Sequence, residues 1–207
     1  MKIHNKLDEI LDQGAKVKIL RFLFNNGVQF TGRAIAKGAG LSASGSYEAL
    51  QKMKAEGIVD AERQGNAILY SLYRDNYTVK NILKPLYEKE KGVYKEIVSV
   101  IKKVTLTQRK YITSIAIFGS VASKQDALTS DIDLLIVVKN PSGKTKVDKW
   151  TDNLSIIVGK KFSAAIAPYI ITELELKKKY NQKSKLIKSI FDNNKLIYGE
   201  PIERIVA

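Results

Sequence analysis

The sequence predicts an α+β protein built from two domains. Its 207 residues are many for one ordinary domain and sufficient for two of about 100 residues each. The first half shows apolar residues at helical spacing and then two strand-like segments around Gly65-Asn66, which predicts helices followed by a β-hairpin. The second half alternates apolar strand-like runs with helical segments, which is typical of an α/β layer.

The composition restricts the class of protein. Lysine and arginine number 35 against 21 aspartate and glutamate, a net charge of +14 that is spread over both halves of the chain. Such a charge attracts polyanions, of which nucleic acid is the commonest in a cell. The absence of cysteine excludes disulfides, zinc–thiolate sites and thiol catalysis, and fits a cytoplasmic location. No apolar run approaches the ~18–20 residues that span a bilayer, so we expect no membrane partner.

Three helices are predicted in the first half. Residues 16–25 carry apolar side chains at helical spacing, and Gly27 ends this helix because glycine readily adopts the left-handed conformation. A second helix begins at Thr31, whose hydroxyl can cap it. A third begins at Ser42 or Ser44.

A β-hairpin follows the third helix. The periodicity changes to that of strands at 58–63 and 67–73, with a turn at 64–66 between them. Two helices, a turn, a third helix and a hairpin are the order of a winged helix-turn-helix domain. We assign this domain to residues 1–75.

Residues 76–107 are predicted to form a helical connector. Their apolar residues recur at helical spacing, and Pro85 is expected to kink or break the helix because proline lacks the backbone N–H. The segment could equally be a dimerisation helix or the first helix of the second domain.

The second domain is predicted at residues 108–207. It begins with a strand at 112–118, followed by a turn at Gly119-Ser120 and a second strand at 131–138 that is largely apolar and therefore central in the sheet. Further helices are predicted at 144–159, 172–180 and 184–192, and further strands at 162–171 and 196–198.

Two carboxylates and a glycine–serine turn are the candidate chemical groups. Side chains two residues apart in a strand share a face, so Asp131 and Asp133 point the same way, with their Cα atoms ~7 Å apart. Such a pair can bind Mg²⁺ or Mn²⁺, which prefer oxygen ligands and also bind the oxygens of a nucleoside triphosphate. Gly119 lets a phosphate approach the backbone, and Ser120 offers a hydroxyl and a main-chain N–H.

Each element alone is commonplace, because a single Asp-x-Asp at the end of a strand is usually solvated surface. The ordered combination IAIFGSVASKQDALTSDIDLLIVV, at residues 115–138 within a matching stretch of about 112–138, is much rarer by accident. It resembles the signature of the DNA polymerase beta nucleotidyltransferase superfamily, close to its minimal stand-alone members. The resemblance implies that Ser120 contacts the phosphates of a nucleoside triphosphate and that Asp131 and Asp133 hold the metal and are catalytic. It extends in element order to about residue 199 and implies a nucleotidyltransferase-like domain with a small mixed sheet.

The sequence departs from this family at two places. Many minimal members carry Ala-Arg-Gly after the glycine and serine, where this chain has Val121 to Lys124, and Lys124 is the candidate to supply the missing charge. The family's third carboxylate lies on the strand after the intervening helix, and residues 162–167 contain no acid. Catalysis is therefore left open. The acids that could compensate are Asp148, Asp152, Glu173 and Glu175.

The N-terminal half, over residues 14–75, resembles winged-helix regulators of the ArsR and MarR type. The resemblance implies that the third helix enters the major groove of double-stranded DNA and that the hairpin reaches the adjacent groove or phosphates. An alternative is that this domain binds protein. The expected DNA-contacting residues are Ser42, Ser44, Ser46, Tyr47, Lys52, Lys54, Arg63 and Asn66.

Three functions are compatible with these features. The first is a DNA-binding transcriptional regulator whose second domain transfers a nucleotidyl group to a protein or a small molecule. The second is a regulator whose second domain only binds a nucleotide and senses it. The third is an antitoxin-like partner protein. We expect a homodimer, because winged-helix domains usually bind two half-sites.

A lysine-rich segment lies near the C-terminus. A solvated helix face is the simpler explanation of it, and contact with phosphate or nucleic acid is the alternative. Its members are Lys177, Lys178, Lys179, Lys183, Lys185 and Lys188.

Overall fold

The computed structural model describes residues 3–127 and 129–207, which fold into two compact units. The first unit extends to Gly92, and the second comprises Val93–Ala207.

The first unit contains four helices before its hairpin. They are α1 (Lys6–Ile10), α2 (Gly14–Asn26), α3 (Gly32–Ala39) and α4 (Ala43–Ala55). Gly27 ends α2 in the left-handed conformation, with φ of 71°. The hydroxyl of Thr31 accepts a hydrogen bond from the N–H of Ala34, and the Ser42 hydroxyl accepts one from Gly45. The predicted cap at Thr31 is thereby confirmed, and of the two serines predicted to begin the third helix it is Ser42 that caps α4; α1 was not predicted.

A three-stranded antiparallel sheet completes the first unit. The hairpin joins β2 (Val59–Gln64) to β3 (Ala67–Leu72), and β1 (Phe30–Thr31) pairs with the other edge of β3. The turn is tight because Gly65 adopts a φ of 59°. The two-residue strand β1 was not predicted, since its pairing depends on β3, some 40 positions along the chain.

The core of the first unit lies between the helices and this sheet. Its completely buried side chains include Leu20 of α2, Ile35 of α3 and Leu50 of α4. Three helices packed on a small sheet that ends in a hairpin form a winged helix-turn-helix, as predicted.

Residues 76–107 do not form a separate connector. A π-helical stretch at Val79–Leu83 continues directly into α5 (Lys84–Thr105), so Pro85 does not break the helix. Proline has no N–H to donate, so the α-helical hydrogen-bond pattern is interrupted at this point, and the turn before Pro85 is π-helical. Val79 and Leu83 pack into the first core and Ile101 into the second, which divides the segment between the two units.

The second unit is built on a four-stranded mixed sheet in the order β6-β5-β4-β7. The strands β5 and β6 are parallel, and the other neighbours are antiparallel. The strands are β4 (Ile112–Phe118), β5 (Ile132–Val138), β6 (Ile166–Thr172) and β7 (Asn194–Gly199). The two apolar strands β4 and β5 are central, as predicted.

Helices cover both faces of this sheet. They are α6 (Gly119–Ser123), α7 (Pro141–Phe162), α8 (Glu173–Asn181), α9 (Lys185–Asp192) and α10 (Ile202–Val206), and a short 3-10 turn at Leu106–Gln108 precedes β4. The helix α7 packs on the face that includes Leu134 and Ile136, and α8, α9 and α10 pack on the face that includes Leu135 and Val137. The strand β6 begins later than predicted because α7 extends to Phe162.

The described helices do not include one that is both long enough and apolar enough to cross a membrane.

Candidate functional site

The predicted site residues of the second unit meet at one edge of its sheet. The strand β4 runs antiparallel to β5, with Ile117 opposite Leu134. The end of β4 therefore lies beside the start of β5. This arrangement brings Gly119 next to Asp133, although 13 residues separate them in the sequence.

Gly119 provides the space that the carboxylate of Asp133 occupies. A Cβ at residue 119 would overlap Oδ2 of Asp133 and lie 3.1 Å from its Cγ. Gly119 also has a φ of 70°, a conformation that favours glycine. The sequence predicts that this glycine lets a phosphate approach the backbone, and the structure adds a second reason for a glycine at this position.

Ser120 and Lys124 lie on the short helix α6 and at its end. The side chain of Ser120 is half-buried, and its carbonyl accepts hydrogen bonds from the Ser123 hydroxyl, at 3.0 Å, and from the N–H of Gln125, at 2.9 Å. These bonds fix the turn that follows β4. Lys124 ends the helix in the left-handed conformation, with φ of 59°, and its side chain is exposed.

Asp131 and Asp133 are the two carboxylates of this edge. Asp131 is exposed immediately before β5, and Asp133 is half-buried on the strand. Burial raises the pKa of the Asp133 carboxyl, and the negative charge of Asp131 raises it further. The two groups therefore repel each other, and a cation between them would relieve that repulsion.

A third acid does not join this pair. Asp133 lies opposite Ala167 on the parallel strand β6, and the N–H of Ile132 donates a 2.9 Å hydrogen bond to the carbonyl of Ala165. Ala167 on β6 and Ala165 just before it therefore lie beside the two aspartates. Within residues 3–127 and 129–207, no cluster of three or more His, Cys, Asp or Glu side chains suited to a metal ion is found.

The acids that could have compensated lie elsewhere. Glu173 and Glu175 follow the end of β6 at Thr172. Thr172 pairs with Val138, which lies five residues, or about 17 Å, along β5 from Asp133. Glu175 is already bound to Lys144 and to Thr172. On α7, Asp148 and Asp152 are exposed, whereas the side of that helix that faces the sheet is apolar.

Two further polar groups lie on the same face of the sheet as Asp133. Tyr169 is two residues beyond Ala167 on β6, so its side chain shares the face of Asp133. Lys179 of α8 donates a 2.8 Å hydrogen bond to the Tyr169 hydroxyl and lies 5.4 Å from the centre of its ring. In the sequence Lys179 belongs to the lysine-rich segment, for which a solvated helix face is the simpler explanation and contact with phosphate or nucleic acid the alternative, because nothing local indicates that α8 returns over β6.

A second strand end also reaches this edge. Asn194, the first residue of β7, pairs with Phe118, the residue that precedes Gly119. Its side-chain amide donates a hydrogen bond to the carbonyl of Ile190 at 3.1 Å. The pattern of the sequence gave no reason to place this asparagine near the glycine–serine turn.

The predicted DNA-contacting residues of α4 do not share one surface. Ser42 and Ser44 are exposed at its start, and Tyr47 is 59% exposed. Ser46 is only 1% exposed, so its side chain is not available to DNA. Ser46 lies on the buried side of the helix, because the buried residues Ala49, Leu50 and Met53 follow it at spacings of three, four and seven.

The remaining predicted contacts of the first unit are exposed. Lys52 and Lys54 lie in the last turn of α4. Arg63 and Asn66 flank the tip of the hairpin, where the Arg63 guanidinium donates a 3.3 Å hydrogen bond to the carbonyl of Gly65. All four side chains can therefore reach a partner in solution.

The fold and the site together define a nucleotidyltransferase-type domain joined to a winged helix-turn-helix. The family model described as Polymerase beta, Nucleotidyltransferase matches residues 100–203, which is half of the chain. The chain belongs to this family. None of the curated proteins matches the chain significantly.

Several solved structures are similar to part of the chain. A predicted DNA-binding transcriptional regulator from E. coli is 27% identical over 42% of this chain and 85% of its own, with a TM-score of 0.35. A homodimeric winged helix-turn-helix DNA-binding domain from Mycobacterium bovis is 24% identical over 44% of this chain and 77% of its own, with a TM-score of 0.34. A chain of a toxin–antitoxin complex with AMP-PNP is 14% identical over 53% of this chain and 80% of its own, with a TM-score of 0.35.

Proposed function

We propose that this protein is a DNA-binding transcriptional regulator whose second unit binds a nucleoside triphosphate together with Mg²⁺ or Mn²⁺. The observation that carries the proposal is the contact between Gly119 and the carboxylate of Asp133. It brings the turn that can accept a phosphate directly against a group that can bind a metal. Asp131 supplies the second carboxylate.

The residues present fit a divalent cation. Asp131 and Asp133 offer carboxylate oxygens, the ligands that Mg²⁺ prefers, and their mutual repulsion favours a cation at this edge. The ion would neutralise charge on the phosphates of a bound triphosphate. Mg²⁺ is commonly held by one or two protein carboxylates, with water and substrate phosphates as its other ligands, so a third protein acid is not needed for binding.

The phosphates would lie between the turn and the lysines. The backbone of Gly119 and Ser120 lies close to the two carboxylates that would hold the metal. The Ser120 hydroxyl can donate a hydrogen bond to a phosphate oxygen. Lys179, held by Tyr169 on the same face of the sheet, is a cation that can approach from α8. The exposed Lys124 can approach from the end of α6.

Ala165 and Ala167 favour nucleotide sensing over nucleotidyl transfer. A third carboxylate in this position of the family acts near the attacking hydroxyl, and alanine cannot accept that proton. We therefore place sensing first and transfer to a protein or small molecule second. Transfer would require the acceptor itself, or a partner protein, to supply the base.

The first unit would bind double-stranded DNA through the start of α4 and the tip of the hairpin. Ser42, Ser44 and Tyr47 are exposed where a recognition helix meets the major groove. The net charge of +14 supports contact with phosphates. Ser46 is omitted from this surface because it is buried.

A homodimer would cover an apolar groove of the first unit. Exposed apolar side chains from the N-terminal segment and from the residues before α5 line this groove, and they include Ile3, Leu7, Tyr77 and Ile82. A second copy of the chain would bury them and present two winged helices to two half-sites. Light scattering should give a dimer for the native chain and a monomer for Tyr77→Glu/Ile82→Glu.

The proposal is tested by nucleotide binding and turnover in one sample. The full chain is incubated with labelled ATP, CTP, GTP or UTP and Mg²⁺ or Mn²⁺, and bound nucleotide, pyrophosphate and label on protein are measured. Asp131→Asn/Asp133→Asn should lose metal-dependent binding, whereas Asp148→Asn/Asp152→Asn, an exposed acid pair on α7, should retain it.

Each outcome is informative. Metal-dependent binding without pyrophosphate supports the nucleotide sensor. Pyrophosphate that disappears in the double variant of the paired aspartates supports transfer, and label on protein would identify a protein acceptor. Absence of metal-dependent binding for all four nucleotides would overturn the proposal for the second unit.

A further inference from the structure

The first unit contains a pocket that the proposed function does not use. Its volume is about 420 Å³, within the usual range of ligand sites. Apolar side chains of α2, β3 and the π-helical stretch line its floor, namely Leu23, Phe24, Leu72 and Val79. Leu23 and Val79 are almost fully buried, so the floor belongs to the packed core and keeps its shape.

Cations predominate at the rim of the pocket. Arg74, Lys80 and Lys84 line it together with one acid, Asp75. The three basic side chains are exposed, and that of Arg74 is held in place by its hydrogen bond to the carbonyl of Gly27. The nearest partner of Lys84 is Glu88, at 3.9 Å, a distance at which an exposed ion pair contributes little. The basic side chains at the rim can therefore bind an anion.

The wall that carries Val79 and Lys80 is the π-helical stretch Val79–Leu83. Such turns are rare and frequently mark functional sites. Here the stretch is anchored by Asn76, whose side chain accepts a hydrogen bond from the N–H of Thr78 at 2.8 Å and donates one to the carbonyl of Gly57 at 2.8 Å. The wall is thus preformed and does not need a ligand to order it.

We propose that this pocket binds a small organic carboxylate with an apolar chain. The apolar floor would take the chain, and the cations at the rim would take the carboxylate by charge-assisted hydrogen bonds. An apolar molecule without charge would leave the three cations unused, and a small inorganic anion would leave the floor unfilled. The site is independent of the nucleotide site, since every lining residue belongs to the first unit.

Octanoate is the probe for this site, and octanol and inorganic phosphate are its matched controls. Titration of the full chain by calorimetry should show octanoate binding, at least fivefold weaker binding of octanol and no binding of phosphate. Lys80→Gln/Lys84→Gln should weaken octanoate binding at least fivefold. Lys89→Gln/Lys91→Gln, an exposed pair on α5 outside the pocket, should leave it unchanged.

Amide chemical shifts locate the ligand. Octanoate should shift the amides of Gly27, Leu72 and Lys80, which belong to the pocket. Binding that instead shifts Ile3 and Tyr77 would place it in the apolar groove and overturn the proposal. The proposal also fails if octanoate does not bind, if octanol binds equally well, or if both lysine pairs affect binding equally.

Discussion

The carboxylate of Asp133 lies against the Cα of Gly119, in the volume that a side chain at residue 119 would require. Two residues far apart in the sequence are therefore constrained by one another. The glycine allows the sheet edge to hold a half-buried acid beside a tight turn, and the acid excludes every larger residue from the turn.

Gly119→Ala should disrupt the site. The new Cβ would displace the Asp133 carboxylate, and a non-glycine residue at a φ of 70° costs about 1–2 kcal/mol. We expect at least tenfold weaker Mg²⁺-dependent nucleotide binding and a melting temperature lower by a few degrees.

Gly92→Ala is the control, because a Cβ there meets no described atom within 4 Å. In that helix alanine should stabilise the chain by about 0.5–1 kcal/mol. Unchanged nucleotide affinity in Gly119→Ala would contradict this prediction.

The sequence grouped Gly119, Asp131 and Asp133 through a motif that resembles a family signature, and the antiparallel pairing of β4 and β5 brings the end of one strand beside the start of the other. The sequence was not sufficient to place Lys179 against Tyr169, since their contact depends on how α8 folds back over the sheet. That packing is set by buried residues distant in the chain, such as Leu135 and Leu176.

Ser46 illustrates a different failure. Ser42, Ser44 and Ser46 recur at intervals of two, which resembles one exposed surface when the sequence is read without helical phase. A helix turns about 100° per residue. Ser46 therefore points to the side of Ala49 and Leu50, both of which are buried.

Ser42→Ala should destabilise the folded chain, whereas Ser46→Ala should not. The Ser42 hydroxyl caps α4 by accepting from the N–H of Gly45 at 3.2 Å, so its loss should cost about 1 kcal/mol. The Ser46 hydroxyl is buried without a hydrogen-bond partner among the described residues, so its removal should be neutral or stabilising by up to about 1 kcal/mol. Urea unfolding measures both, with the exposed Ser44→Ala as reference. Equal destabilisation by the two substitutions would refute the assignment.

Glu175 should contribute to stability only above acidic pH. Its hydrogen bond from Lys144, at 2.7 Å, and those from Thr172 lower its pKa to about 2 from 4.5. A lowered pKa stabilises the folded state above the ordinary value, and this contribution disappears as pH falls from 4.5 towards 2. Since the side chain of Glu175 is 47% exposed, we expect its charge to contribute at most about 1 kcal/mol to the free energy of unfolding.

Glu175→Gln isolates this effect, because glutamine retains an oxygen for the cap of α8 but loses the charge. The variant should be less stable than the native chain in urea at pH 7 and equally stable near pH 2. Thr172→Ala removes the cap itself and should destabilise the chain at both pH values. A pH-independent difference for Glu175→Gln would show that its charge is not responsible.

Lys16 should be necessary for the stability of the first unit. It is 1% exposed, and its ammonium group donates to Glu56 at 2.7 Å and lies 3.2 Å from Asp12. Lys16→Met would leave the partly buried Glu56 without its cation and should cost about 3 kcal/mol. Glu56→Gln in the same chain should restore part of this loss. Lys18→Met, an exposed position on the same helix, should change the free energy of unfolding by less than about 0.5 kcal/mol.

DNA binding should depend steeply on salt and on the cations of α4. Each lysine that neutralises a phosphate contributes about 0.9 to the slope of log K against log salt concentration. If Lys52 and Lys54 both do so, Lys52→Gln/Lys54→Gln should reduce that slope by about 2, as measured by fluorescence anisotropy on duplex DNA. Lys177→Gln/Lys178→Gln removes the same charge from the exposed face of α8 in the second unit and should leave the slope unchanged. If both pairs reduce the slope equally, binding reflects the net charge of the chain; if neither does, α4 does not contact phosphate through these lysines.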